Sequence, residues 1–233
     1  MIQFDQQSGF VAGTLVHTDK GLVPIEQIKV GDTVLSRHES GEVKLAYKRV
    51  TQSFIILNQP IRAMQLGGPF GLSKEEDEDS YIKEEFLFTT ANQPFWTFER
   101  KSRYEINTST GKWVSALNME PGEALFDSNG KFLDVVENLR LYQTTEPDKA
   151  FYMVFPDYDA GIFLNLNAYR NNQLQVPNYL EDESLEVVNW DENEDPIPDE
   201  YVTTVYNFEV EDYHTYFAGE LGILVYDMAA NIS

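Results

Sequence analysis

Apolar and polar positions alternate in short runs along much of the chain, and glycine-bearing turns punctuate them. Between residues 10 and 60, β-branched side chains recur in runs such as Gly13 to His17 and Glu42 to Arg49. The turn sequences Asp19-Lys20-Gly21 and Glu39-Ser40-Gly41 separate such runs. This pattern predicts short strands joined by tight turns. PIEQIKV, residues 24 to 30, breaks the alternation: Pro24 suits a helix start, and Ile25 and Ile28, three apart, reach the core together. About one helical turn is expected there, before Gly31-Asp32 returns the chain to a strand at Thr33-Val34-Leu35.

A related pattern returns at Trp113 to Asp127, WVSALNMEPGEALFD. It lies over Leu22 to Ser36 with Ile25, Ile28 and Gly31 falling on Ala116, Met119 and Gly122. Two similarly folded halves about an approximate twofold axis are expected. Strands are predicted near Ile61 to Leu66 and Glu85 to Thr89, with the Gly-rich GGPFG of residues 67 to 71 and the acidic KEEDEDSYIK of residues 74 to 83 forming an exposed loop between them. Residues 144 to 180 lack a clean period, apart from a candidate strand at Phe151 to Phe155. Glu181 to Glu200 carries ten carboxylates in twenty residues and no Lys or Arg, which predicts a loop or surface arm. Alternation resumes over Val202 to Tyr206 and Phe208 to Tyr216. Gly219 and Gly222 precede a last strand ending near Tyr226, which is expected to close the sheet begun at the N terminus.

Composition narrows the function classes. With 42% hydrophobic and 13% aromatic residues, the 233-residue chain has the material for a sizeable core. Its formal charge of -22 opposes nucleic acid and anionic membranes and favours a basic protein partner. The absence of cysteine excludes disulfides, thiolate metal sites and cysteine nucleophiles. The N terminus reads as no signal peptide and no run is long and apolar enough for a transmembrane helix, so cytoplasmic residence is the expectation. His17, His38 and His214 are dispersed, with His38 expected in an exposed turn. No metal-ligand spacing, phosphate loop or dinucleotide fingerprint occurs, so neither metal nor cofactor is expected.

Four blocks stand in order: GFVAGTLVHTDKGLVPIEQIKVGDTVLSRHESGEV from Gly9, TTANQPFW from Thr89, WVSALNMEPGEALF from Trp113, and VYNFEVEDYHTYFAGELGILVYD from Val205. Together they resemble the Hint family, the Hedgehog and intein fold, and especially the Hint domains of bacterial polymorphic toxins. The resemblance implies a mostly β, pseudo-twofold fold with short helical turns, built as one domain over residues 1–233 with an acidic insertion at about residues 143–201. It also implies self-processing chemistry in active members. A first-position cysteine or serine attacks the preceding carbonyl, a Thr-x-x-His block positions and protonates the scissile amide, and a terminal His-Asn pair releases the downstream chain.

This chain departs from that pattern at each step. The first position is Gly9. Ser8 stands one residue early, where strand alternation would direct it to the opposite face. Thr90 matches the block threonine, Gln93 replaces its histidine, and Tyr226-Asp227 replaces His-Asn; His214 matches an upstream histidine of related domains. These departures imply a catalytically inactive Hint fold that binds a protein, in particular an immunity protein neutralising a basic toxin enzyme. Phe70, Glu75, Glu76, Asp77, Glu78, Asp79 and Tyr81 in the first acidic run, and Trp190, Asp191, Glu192, Glu194 and Asp195 in the second, are the candidate contact residues. Beginning at Met1 and ending six residues after Asp227, the chain reads as freestanding. The alternatives are self-processing through noncanonical residues and an adaptor role in toxin secretion.

Overall fold

The computed structural model describes residues 7–40, 44–68, 84–102, 105–155, 160–171, 187–188 and 198–227. Fifteen strands account for most of them: β1 (Phe10–Val11), β2 (Leu15–Thr18), β3 (Gly21–Pro24), β4 (Thr33–Arg37), β5 (Leu45–Gly67), β6 (Glu85–Thr90), β7 (Pro94–Ser102), β8 (Glu105–Ser115), β9 (Ala124–Phe126), β10 (Phe132–Gln143), β11 (Lys149–Phe155), β12 (Ala160–Asn165), β13 (Val202–Val210), β14 (Thr215–Ala218) and β15 (Ile223–Tyr226). One short helix, α1 (Leu166–Arg170), follows β12. All strands join one antiparallel network, with β13 between β5 and β1 and β15 between β14 and β7. The fold is therefore mostly β, and its first and last strands meet in one sheet.

The repeat seen in the sequence has a structural counterpart in matched hydrogen bonds. Each copy makes a short 3-10 turn, at Ile25–Gln27 and at Ala116–Asn118, and Ile25, Ile28, Ala116 and Met119 are all buried. Gly31 and Gly122 then adopt φ of 96° and 89°, a region open to glycine. Gly31 N–H donates to the Val50 carbonyl (2.9 Å), and Gly122 N–H to that of Val135 (2.7 Å). Returning bonds run from Val50 N–H to Asp32 (2.8 Å) and from Val135 N–H to Glu123 (3.0 Å). Even the entry is shared, since Ile25 N–H donates to Thr14 and Ala116 N–H to Gln93, both at 2.8 Å. Gln93 thus occupies in one half the place that Thr14 holds in the other.

Three expected elements differ from those observed. The strand expected near Ile61 is the end of the 23-residue β5, which runs through Gln59-Pro60 by way of an irregularity at Asn58, φ 53°. Phe208 to Tyr216 is two strands, because Asp212 and His214 turn the chain with positive φ. Residues 160–171 form β12 and α1 where no period was legible. Gly41 and both acidic runs, apart from Val187, Val188 and residues 198–200, lie outside the described residues.

Two clusters form most of the core. One gathers Phe10, Val16, Ile25, Phe95, Leu125 and Tyr216. The other packs Tyr152, Leu164 and Leu166 of the β11 to α1 segment against Ile61, Phe88 and Val205. Tyr152 Oη donates to Glu137, and the buried Asp134 is paired with Arg100, so these polar groups do not enter the interior unpartnered. Asn165 accepts the Ala168 N–H (3.1 Å) and starts α1, which seats Tyr169 edge-on to Phe88 and within 2.9 Å of Thr14 Oγ1.

That seat depends on Gly13. Its φ is 92°, its N–H donates to Glu26 (2.8 Å), and a Cβ there would lie 2.5 Å from Arg170 Cα. Gly13→Ala is expected to cost about 2 to 3 kcal/mol by strain and by displacing α1. Urea denaturation measures this, and an unchanged midpoint would show that α1 does not rely on this close approach.

Candidate functional site

Residues 7–9 enter β1 without being part of a strand. Ser8 is buried at 6% exposure. The Ser8–Gly9 peptide group is held at both ends. Asn207 Nδ2 donates to the Ser8 carbonyl (3.1 Å), and Gly9 N–H donates to Thr90 Oγ1 (3.1 Å). The Gly9 carbonyl accepts from Thr90 N–H (3.1 Å) and Thr89 Oγ1 (2.9 Å).

The other chain-terminal segment is held in the same way. Gln93, fully buried in the turn between β6 and β7, donates from Nε2 to the Tyr226 carbonyl (2.8 Å), while Asp227 N–H donates to the His214 carbonyl (2.9 Å). Asn207 joins the two grips. Its Nδ2 contacts Gln93 Oε1 (3.4 Å) and Ser8 Oγ (3.2 Å), and its Oδ1 accepts from Phe208 N–H (2.8 Å) and Tyr216 Oη (3.0 Å). The six family positions named from the sequence, Gly9, Thr90, Gln93, His214, Tyr226 and Asp227, are thus brought into one region by this network.

Asn207 is the participant that sequence reasoning missed. It sits on β13 between Tyr206 and Phe208, where alternation with Phe208 and Val210 reads it as an ordinary polar position, yet it is buried. The alternation therefore carried no signal of its burial, and its role shows only once the partners that a buried amide requires are placed around it.

Space around Gly9 is closed as well. A Cβ at this residue would lie 2.8 Å from the Tyr206 carbonyl oxygen and 3.1 Å from Val205 Cγ2. Because the closer atom is backbone, a side chain there requires β13 to shift. Gln93 supplies neutral amide donors, which orient peptide groups but do not exchange protons as imidazole does.

Asp227 is buried and accepts the Val210 N–H at 2.6 Å. His214 Nδ1 lies 3.5 Å from Asp227 Oδ2, an ion-pair separation, and the carboxylate raises the His214 pKa above its ordinary value. Tyr226 Oη donates to Glu39 Oε2 (2.6 Å), and its ring meets Trp113 edge-on. Burial, reinforced by Glu39, pushes the Tyr226 phenol up, so it stays protonated and locked. Of the other histidines, His17 sits on β2 near the Gly219 and Glu220 carbonyls, and burial lowers its pKa. His38 is half-buried rather than exposed, because its ring packs on Tyr213 and bonds Ser40.

The candidate contact residues, Phe70, residues 75–79, Tyr81, Trp190, residues 191–192, Glu194 and Asp195, lie outside the described residues. Among the described residues, no group of three or more His, Asp or Glu side chains is placed to hold a metal ion. No helix among them is long and apolar enough to cross a membrane.

Two outcomes follow from this geometry. Asn207→Ala strands the Ser8 carbonyl and the Phe208 N–H, and is expected to lower stability by about 2 to 3 kcal/mol, read by urea denaturation. The histidines set a pH dependence. A raised folded-state pKa makes the His214 contribution complete below the unfolded value of about 6.5 and lost as pH rises through the folded value. His17, lowered by burial, acts in the opposite sense and destabilises as pH falls below about 6.5. Denaturation across pH 5.5 to 8.5 should show the alkaline loss in the native chain and lose it in His214→Asn, which tolerates the positive φ; an unchanged slope would remove His214 from the account.

Comparison with known proteins agrees with this architecture. The model of the pretoxin Hint domain family matches residues 15–179, which include Thr90 and Gln93 but neither Gly9 nor the His214 to Asp227 stretch. No curated protein matches the sequence. Among solved structures, the solution structure of a bacterial intein-like domain from Clostridium thermocellum is similar with a TM-score of 0.54 at 22% identity, over 95% of this chain and all of that one. A DnaB intein from Synechocystis sp. PCC 6803 gives 0.48 at 11% identity, over 95% and 99% of the two chains. With the family model covering more than half of its length and its strands arranged as a Hint fold, this chain belongs to the pretoxin Hint domain family.

Proposed function

We propose that this chain is a catalytically silent Hint domain that works by binding a protein, as an immunity protein neutralising a basic toxin enzyme. The observation that carries the silent part is the closed space at Gly9, where a Cβ would meet the Tyr206 carbonyl oxygen at 2.8 Å. The position from which an acyl shift would start has neither a nucleophile nor room for one. The amides of Gln93 and Asn207 spend their hydrogen bonds holding peptide groups, so among the described residues no proton donor matched to neutral pH bonds the Ser8–Gly9 peptide group. The binding part is supported by the charge of -22, which speeds and selects association with a cationic protein.

Ser8 favours a second reading, self-processing through a displaced alcohol, because its Oγ is buried 3.2 Å from Asn207 Nδ2. An adaptor role in toxin secretion is a third, distinguished from immunity by the absence of a toxin gene next to this one.

Intact mass after prolonged incubation separates the first two readings. The native chain is expected to keep its full mass, and Gly9→Cys to be less stable by about 1 to 3 kcal/mol and equally uncleaved. A fragment from the native chain that disappears in Ser8→Ala would establish the displaced alcohol and end the silent reading.

A further inference from the structure

We propose that the outer face of β5 around Ile55 and Leu57, together with the edge beside it that no strand among the described residues pairs, docks an extended segment of a cationic protein partner. The inference rests on the binding function proposed above and assigns that function a surface. Ile55 and Leu57 are 68% and 65% exposed. Val202 on β13, 45% exposed, lies opposite Pro60 at the end of the stretch, while Tyr206, the partner of Ile55, packs partly buried against the first core cluster beside it. The inward positions Phe54, Ile56 and Val205 pack into the core, so the ribbon is fully provided with apolar contacts on its other side.

Backbone pairing leaves this stretch open. One side of β5 bonds to β13 from Val50 to Pro60. The opposite side pairs with β4 only from Leu45 to Arg49, while β6 and β10 take β5 from Ile61 and Arg62 onward. Among the described residues, no strand covers the second edge between them. Exposed edges are ordinarily guarded by charge, proline or a bulge. Here Asn58 and Pro60 end the open stretch, and Gln59 Nε2 caps the Leu57 carbonyl (2.9 Å). Neither residues 53–61 nor residues 201–208 contain a charged side chain, although 24% of the chain is charged and seventeen residues would carry about four.

An uncharged edge, unpaired among the described residues and flanked by exposed apolar side chains, accepts an extended segment by strand addition, with backbone bonds supplying affinity and alternate side chains resting on the face. Charge then selects among sources. A second copy brings its own charge of -22 and is repelled, whereas a cationic protein is attracted to the surrounding field.

The test places the photo-crosslinking residue p-benzoylphenylalanine at Ile55 or at Leu57 in the full chain in its source cells. Leu22 and Leu117, exposed apolar residues elsewhere at 42% and 50%, serve as control positions. The expected product joins positions 55 and 57, and not the controls, to an extended peptide of one protein with net positive charge. With that protein purified, Ile55→Lys combined with Leu57→Lys should weaken binding roughly tenfold or more without lowering the melting temperature. Crosslinks to a second copy or within this chain, crosslinks at the control positions instead, or unchanged affinity in the double variant would each overturn the docking surface. A partner captured only through other positions would leave the binding function standing. No partner at any position, together with a self-cleavage fragment, would bring down both.

Discussion

The hydrogen bonds of the Asn207 amide set the constraint on which the centre of this fold depends. Its NH2 group reaches the Ser8 carbonyl and the Gln93 side chain, and its oxygen receives the Phe208 N–H and the Tyr216 hydroxyl. The segments of Ser8, Gln93 and Tyr216, with the neighbouring Phe208 N–H, therefore satisfy polar groups on one buried side chain. Inside a protein such a network is stable only when every member is paired. Gln93 extends it to the Tyr226 carbonyl, so the first and last described segments are tied to the same pair of amides. The sheet topology agrees, since β1 and β15 both lie beside strands that this pair touches.

On the proposed reading, the same bonds explain why an architecture associated with self-processing is quiet here. Splitting a peptide bond requires a nucleophile at the carbonyl and a proton for the departing nitrogen. Gly9 brings no side chain, and β13 has closed to the point where one would collide with its backbone. The Gly9 nitrogen donates its proton to Thr90 rather than receiving one. His214, the histidine beside the terminal Asp227, is engaged in compensating that buried carboxylate. Groups that would otherwise move protons are used here to hold two chain segments in place.

Much of the architecture was legible because the turns declare it. The two helical turns with their Ile25/Ala116 and Ile28/Met119 pairs could be superposed from sequence, and Gly31 and Gly122 do adopt the positive φ that their matched positions suggest. The six positions named from motif order, Gly9, Thr90, Gln93, His214, Tyr226 and Asp227, lie in one hydrogen-bonded region. What escaped was information carried between distant residues. Asn207 looks ordinary until Ser8, Gln93 and Tyr216 are placed around it. The length of β5 was hidden by Pro60, which a strand tolerates here beside the irregularity at Asn58.

The central claim is that Gln93 and Asn207 act as one clamp on both chain-terminal segments. Amide hydrogen exchange tests it most directly, by comparing Gly9 and Asp227 in the native chain and in Gln93→Ala. The clamp predicts that both amides lose protection together while those of β10 and β11 retain theirs. Faster exchange at Asp227 with Gly9 unchanged would contradict it, because the N-terminal segment would then be held independently of the pair.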